Sequence, residues 1–379
     1  MEWKEDILGN VLEVKYGKDH KKLAEGQYPV YGSGGLMRYV DSKLYDGPSI
    51  LIPRKGTLNN IMFVESPFWT VDTMFWTIIN ADKIDPKFLF YSICKRDFAS
   101  MNVGSAVPSM TVSILNDIQI SYPKNLADQR RIASILSSLD RKIELNNKIN
   151  ADLEEMAQTI FKNWFVDFEP FKDGKFVDSE LGMIPEGWRV GTLGEFCKCL
   201  LGGTPSRSKE EYWNGEINWI NSGEINKFRI LEASEKITEL GLAKSATKLL
   251  PKKTTVLAIT GATLGQVSLL EIDSCANQSV IGVLENAEVP YEYIYPFIKD
   301  RIEMLIQHQT GGAQQHINKD NVESLIFLFP TKNVLKDYIS LVRPMYKRIE
   351  SLCFENLYLS LLRDTLLPRL MSGEIEIPE

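Results

Sequence analysis

Two cations, a hydroxyl and two carboxamides stand within Arg54-Lys55-Gly56-Thr57-Leu58-Asn59-Asn60, directly after an apolar run. Arg and Lys can grip guanine, and Asn or Gln adenine, so such a loop suits base edges in a groove. A solvated hairpin tip would use the same residues, and both readings stay open. Ser33 lies in Gly32-Ser33-Gly34-Gly35, which lacks the spacing of a dinucleotide loop. Glycines there would instead let backbone amides approach a phosphate. Lys21 and Lys22 end the basic loop Lys18-Asp19-His20-Lys21-Lys22, a phosphate clamp or a solvated loop more than a base reader. A second candidate set comprises Thr204, Ser206 and Arg207, then Thr260 and Thr263, then Gln278, and finally Gln314, Gln315 and His316. Asn277-Gln278 could equally be buried and hydrogen-bonded within the fold.

Residues for bond-making chemistry are missing. A methyltransferase acting on base amino groups needs an Asn/Asp-Pro-Pro-aromatic motif, and the chain has no Pro-Pro pair. A phosphate-cradling Gly-x-x-x-x-Gly-Lys loop is also absent, which argues against an ATP-driven motor. His20, His308 and His316 have no metal-site spacing, and Cys197-x-Cys199 is too tight and isolated for zinc. Both cysteines are expected as partly buried strand residues. No catalytic residue, metal or cofactor is expected.

Composition is that of an ordinary water-soluble chain. No apolar stretch reaches the length of a membrane span, and the charged start Met1-Glu2-Trp3-Lys4-Glu5-Asp6 has no signal core. Five scattered cysteines fit a reducing, cytoplasmic setting. Net charge is −7, with 14 basic and 14 acidic side chains in residues 1–125 and 14 against 18 in 186–330. Any nucleic-acid contact must therefore come from local clusters, with partners adding phosphate contacts.

The chain is written twice. Trp3-Lys4 with Leu8-Gly9-Asn10 returns as Trp188-Arg189 with Leu193-Gly194-Glu195. Ile50 to Ile61 aligns with Val256 to Val267, and Gly104-Ser105-Ala106 through Pro123 aligns with Gly311-Gly312-Ala313 through Pro330. The period is about 206 residues, too long for a solenoid and suited to a pseudo-dimer in one chain. Such a molecule would meet a two-part target, as dimers meet paired half-sites; duplication without a two-part target is the alternative. The expected class is α+β: two pseudo-two-fold-related globular domains separated by a pair of long antiparallel helices in a coiled coil. The expected divisions are 1–125, a central helix in 126–170, a linker in 171–187, a second globular domain in 188–330 and a C-terminal helix in 331–379. Phe88–Ile93 and Tyr293–Ile298 read as short helices or buried strands.

From Asp128 to Trp164 the apolar positions follow a heptad, with rows Ile132, Leu139, Asn146, Leu153, Ile160 and Leu136, Ile143, Asn150, Ala157, Trp164. The second run gives Ile339, Tyr346, Leu352, Leu359, Leu366 and Ile349, Asn356, Leu370, interrupted by Arg343 and Arg363. Each run, about 37 residues, would span about 55 Å. Asn146, Asn150 and Asn356 on the seam would fix register, since a buried amide finds its partner in one alignment only. The helix pair would then act as a ruler between the globular domains, the alternative being a helical hairpin in one core. Pro344 is expected to kink or delay the second helix.

Several stretches resemble the specificity subunit of type I restriction–modification systems. The most specific runs from Trp164-Phe165-Val166-Asp167-Phe168-Glu169-Pro170-Phe171 to Ser179-Glu180-Leu181-Gly182-Met183-Ile184-Pro185-Glu186-Gly187-Trp188. Gly203-Thr204-Pro205-Ser206, Tyr28-Pro29-Val30-Tyr31-Gly32, Asp128-Gln129-Arg130-Arg131-Ile132-Ala133 and Leu366-Leu367-Pro368-Arg369-Leu370 add to it. The resemblance covers essentially the whole chain. It implies two target-recognition domains, each reading half of a bipartite, asymmetric site on double-stranded DNA. It also implies that the helix pair sets the spacing and docks methyltransferase subunits, two of them, through which motor–nuclease subunits join. Asp337-Tyr338 stands in place of a Gln-Arg pair, so the two docking surfaces are expected to differ. The reading from another class is a non-catalytic coiled-coil scaffold with no sequence-specific DNA binding.

Overall fold

Ser49–Pro53 forms a strand buried along its whole length. Its one polar side chain is satisfied inside the sheet, where Ser49 Oγ donates to Thr77 O at 2.8 Å. Around such apolar strands the computed structural model, which describes residues 1–102, 108–307, 317–375 and 377, builds two units. One unit is Met1–Glu144 with Leu357–Glu379; the other is Leu145–Asn356.

In the first unit, strand Leu12–Tyr16 pairs with Met74–Ile79, which pairs with Ser49–Pro53, which pairs with Met62–Val64, all antiparallel. A smaller sheet sets Tyr28–Gly32 between Gly35–Val40 and the parallel strand Trp69–Thr70. Strand Trp3–Ile7 pairs with Gln119–Pro123, which leads straight into helix Leu126–Phe165. Helix Pro86–Ile93 starts on Asp85, whose carboxylate accepts from Phe88 N, with proline at the position where a missing N–H costs nothing. Its Phe88 and Leu89 join Ile132, Leu136, Leu367 and Leu370 in one core. The unit therefore buries stretches of both long helices.

The second unit repeats the order. Strands Lys198–Leu201, Val280–Leu284, Thr255–Ala258 and Val267–Leu269 form the same antiparallel series. Trp213–Ile220 lies between Glu235–Ile237 and the parallel strand Ser274–Ala276. Arg189–Thr192 pairs with Ile326–Phe329 ahead of helix Lys332–Met371. The two ambiguous apolar runs are both helical, within Pro86–Ile93 and Tyr291–Gln307. The fold is α+β, and the second unit repeats the strand order of the first and adds Leu249–Leu250 beside Ser274–Ala276. The core of this unit is aromatic: Phe161 and Phe165 of one long helix meet Tyr338 of the other, and Phe165 lies edge-on to Tyr293 with centroids 4.7 Å apart.

Each long helix has 40 residues, so it rises about 60 Å. They run antiparallel in both units. Asp140 pairs with Arg363 in the first, whereas Asn146 faces Asn356 and Asn150 faces Cys353 in the second. Pro344 neither delays nor ends the C-terminal helix, which begins at Lys332 and continues through it. The lost N–H bond is outweighed by the buried row Tyr338, Val342, Tyr346 and Ile349. Burial also drifts off the strict heptad: Asn146, Asn150, Ala157, Phe161 and Phe165 are buried, while Leu139, Ile143, Leu153, Ile160 and Trp164 are only half-buried. A straight helix of 3.6 residues per turn packed on a sheet core produces that drift. Arg343 and Arg363, which interrupt the apolar rows, bind Glu292 and Asp140.

Candidate nucleic-acid interface

In each unit the end of one buried strand, a loop leaving the smaller sheet and a third segment are tied by backbone bonds. In the first unit Arg54 N donates to Thr73 O, Met110 N to Arg54 O, and Gly17 N to Met74 O. The second unit repeats this as Ile259 N to Ser279 O, Ile317 N to Ile259 O, and Gly202 N to Val280 O. The repeat sets Ile259 against Arg54, Thr260 against Lys55 and Gln278 against Asp72, one residue off the sequence alignment of this loop. Asp72 was missed in the sequence because it belongs to no motif; aligning the two copies through this loop would have found it.

The loop Arg54–Asn60 divides its labour. Arg54 lies over the Tyr16 ring, 5.3 Å from its centroid, and its Nη1 donates to Asp72 O at 3.2 Å. Lys55 and Thr57 are exposed. Leu58 is buried and anchors the loop. Asn59 and Asn60 spend their amides inside the fold. Asn59 donates to Asp97 Oδ1 at 3.1 Å and accepts from Ala99 N at 2.9 Å, while Asn60 Nδ2 donates to Ser33 O at 2.8 Å. The Asn60 bond brings Ser33 and the glycine turn to the same surface. Lys21 and Lys22 are exposed on a neighbouring loop that Lys18 N fastens to Thr70 O at 2.9 Å. Among the described residues, the side chains of Lys18, Lys21, Lys22, Arg54 and Lys55 form no ion pair within 4.0 Å, although Lys21 N donates to Asp19 Oδ1 at 3.0 Å.

In the second unit Thr204 Oγ1 donates to Gln278 Oε1 at 2.5 Å, so these two residues meet on the surface. Thr260 and Thr263 flank an exposed turn and Thr263 Oγ1 reaches Thr260 O at 3.4 Å. Ser206 Oγ lies 2.9 Å from Ser208 Oγ. Arg207 is already engaged. Its guanidinium donates to Glu235 at 2.8 Å and stacks 3.7 Å from the Trp213 centroid. That hydrogen bond raises the guanidinium further and holds the Glu235 carboxyl below its usual range. Gln314, Gln315 and His316, with the aligned Gly104–Ala106 and Gly311–Ala313, lie outside the described residues.

The cysteines are not poised for chemistry. Cys197 and Cys199 are buried, and burial pushes both thiols up to about 12. Among the described residues no group of His, Cys, Asp and Glu is arranged to hold a metal, and no helix is long and apolar enough to cross a membrane.

Asn146 Nδ2 donates to Asn356 Oδ1 at 2.8 Å and to Glu355 at 2.9 Å, and Asn356 Nδ2 donates to Asn147 at 2.8 Å. Asn150 Nδ2 reaches Cys353 Sγ at 3.5 Å. One turn further on, buried Glu154 accepts from Arg229 Nη2 at 2.7 Å and Lys299 Nζ at 3.0 Å, and Arg229 Nη1 also reaches Tyr295 OH at 3.1 Å. Sequence reading passes over Arg229, since a lone arginine in a loop carries no sign that it will be buried.

A family described as the type I restriction modification DNA specificity domain matches residues 1–155 and 185–341. The MjaIX specificity subunit of Methanocaldococcus jannaschii is 27% identical over 376 residues, covering 95% of this chain and 86% of that protein. The HindI specificity subunit of Haemophilus influenzae is 24% identical, covering 83% of each. Among solved structures, the type I restriction–modification S subunit from M. genitalium shares the fold, with a TM-score of 0.63 at 16% identity, over 97% of this chain and 96% of that one. Two copies of one α+β plan, each joined to a long helix and together matched over most of their length, place this chain in the type I restriction–modification specificity subunit family.

Proposed function

We propose that this chain reads a split DNA sequence for a methylation and restriction complex and carries out no bond-making step itself. Each unit reads one half of a bipartite site on double-stranded DNA. The helix pair sets the gap and docks two methyltransferase subunits, through which motor–nuclease subunits join. The observation that carries this reading is the repeated surface with changed chemistry. Arg54, Lys55 and Asp72 in one unit stand where Ile259, Thr260 and Gln278 stand in the other. A duplicated scaffold has no need to vary those positions while keeping the strand order, whereas a reader of an asymmetric site does. Side chains left exposed on the long helices, Leu145 and Met156 on one and Tyr358 and Leu361 on the other, favour a protein partner there.

A methylome tests the reading. The chain is expressed with its methyltransferase partner and methylated bases are mapped by long-read sequencing. Two short unlike sequences around an unspecified gap are expected. A continuous motif would mean that one unit alone reads sequence. An intact complex that methylates nothing would leave the scaffold reading.

A further inference from the structure

The first unit carries an apolar tip that its own core does not use. Leu36, Met37 and Tyr39 are 52%, 56% and 49% exposed, on the strand after the Ser33-Gly34 turn. Their placement is a matter of register. Val30 faces Arg38 and Tyr31 faces Leu36, so Met37 is an extra residue in a β-bulge. A bulge re-aims side chains, and here two consecutive residues face outward. Arg38 turns inward instead, donating to Leu23 O at 2.7 Å, and Val40 is buried. Met37 lies across Gly32, where a Cβ would come within 2.6 Å of its sulfur. Gly35 has φ +113°, and nothing lies within 4 Å of where its Cβ or that of Gly34 would be, so another molecule can approach the tip closely.

Charge tells what fits over this tip. On one side, Asn60 fastens it to the loop bearing Arg54 and Lys55; on the other, Arg38 and Lys18 hold the loop bearing Lys21 and Lys22. The side chains of these cations form no ion pair among the described residues. By contrast, Lys4, Lys15, Lys43, Lys87, Lys95 and Lys124 of the same unit each hold one. An apolar point between unneutralised cations matches a ligand with an anionic rim and a stacked apolar interior, which is a nucleic-acid duplex.

We propose that Leu36 and Met37 form a wedge that enters a groove of the target duplex and opens one base step in the half-site bound by the first unit. The proposal rests on the reading that this unit binds DNA. Apolar wedges of this kind partly unstack a step and kink the duplex. The distortion is one-sided, because the second unit offers there, among its described residues, a single exposed aromatic, Phe228, and no adjacent pair of exposed apolar side chains. Its equivalent strands, Trp213–Ile220 and Glu235–Ile237, are joined by a longer segment that folds inward and buries Glu224 and Arg229.

The test uses the intact complex with its methyltransferase subunits. The duplex carries 2-aminopurine at successive positions of the half-site assigned to the first unit. Anisotropy of a terminal dye reports binding, and 2-aminopurine emission reports unstacking. A several-fold rise in emission is expected at one step of that half and at none of the other. Leu36→Ser/Met37→Ser should abolish the rise while the complex stays assembled and still binds. Both side chains are exposed, so the variant should melt with the wild type; Leu36→Ala/Met37→Ala is the milder second test. Binding by the wild type with no rise, or a rise unchanged in both variants, overturns the wedge and leaves the DNA reading standing. Loss of methyltransferase subunits from either variant would assign the tip to a protein contact and also overturn it. No binding at all would remove the DNA reading, and the wedge with it.

Discussion

At the scale of residues, side chains of similar type have separate tasks. Lys55 is exposed with no carboxylate partner among the described residues, so it suits a phosphate. Lys55→Ala is expected to weaken binding to all sequences alike and to reduce the salt dependence of log K by about one unit, read from titrations at several salt concentrations. Loss confined to the cognate sequence would mean that Lys55 reads a base. Gln278 sits where two backbone segments converge and Thr204 occupies its carbonyl. Gln278→Ala should relax one position of the second half-site, costing ~1–3 kcal/mol of discrimination there while leaving the first half unchanged. An unaltered methylome in that variant would remove Gln278 from the reading set. Composition made the Arg54–Asn60 loop and Gln278 visible as candidates. It could not show that Asn59 and Asn60 spend their amides on the fold, because that depends on residues distant in sequence such as Asp97 and Ser33.

At the scale of elements, the long helices were legible because only a helix sustains an apolar stripe of that period over so many residues. Their buried face was less so. Heptad counting picks Ile160 and Trp164, yet Phe161 and Phe165 are the buried ones, since the helix packs on a sheet core as well as on its partner. The Glu154–Arg229–Lys299 cluster was invisible for the same reason: it joins three elements that sequence does not place together. Its energetics can be measured. Burial pushes the Glu154 carboxyl up, but Arg229 and Lys299 more than offset this and hold it below its usual range. The pair therefore contributes stability above the ordinary glutamate pKa of about 4.3, and that contribution is lost as pH falls through the lowered value. Glu154→Gln should flatten the acid limb of the stability curve of this unit. Arg229→Met leaves a buried carboxylate with one remaining cation and should cost ~3–5 kcal/mol by denaturant unfolding. In Arg229→Met/Glu154→Leu most of that loss should be recovered. A single variant as stable as the wild type would mean that water enters and replaces the guanidinium.

At the scale of the whole molecule, duplication was the clearest signal, and the shared strand order bears it out, with Leu249–Leu250 added to the smaller sheet of the second unit. Each long helix has residues in both units, so on the proposed reading a change in helix length should alter the spacing of the two half-sites. Asp140 with Arg363 and Asn146 with Asn356 identify the stretches that face each other across the pair. Deleting Leu139–Leu145 together with Leu357–Arg363 removes one heptad from both helices at once. Each helix shortens by about 10 Å, at about 1.5 Å per residue. Seven residues are nearly two full turns, so the faces flanking the cut come back into line within about 20°. Asn146 can still meet Asn356, and both globular cores keep their helical partners. If the pair is a ruler, the gap in the methylated motif should shrink by about 3 base pairs, at about 3.4 Å per pair along the duplex. Both half-site sequences should persist, because neither recognition surface is touched. A deletion of five residues from each helix would instead rotate the faces by about 140°, at 3.6 residues per turn, and should abolish methylation although it shortens the helices less. An unchanged gap in the heptad variant would mean that spacing is set by the bound methyltransferase subunits, and the ruler would have to be given up while two-part reading could stand.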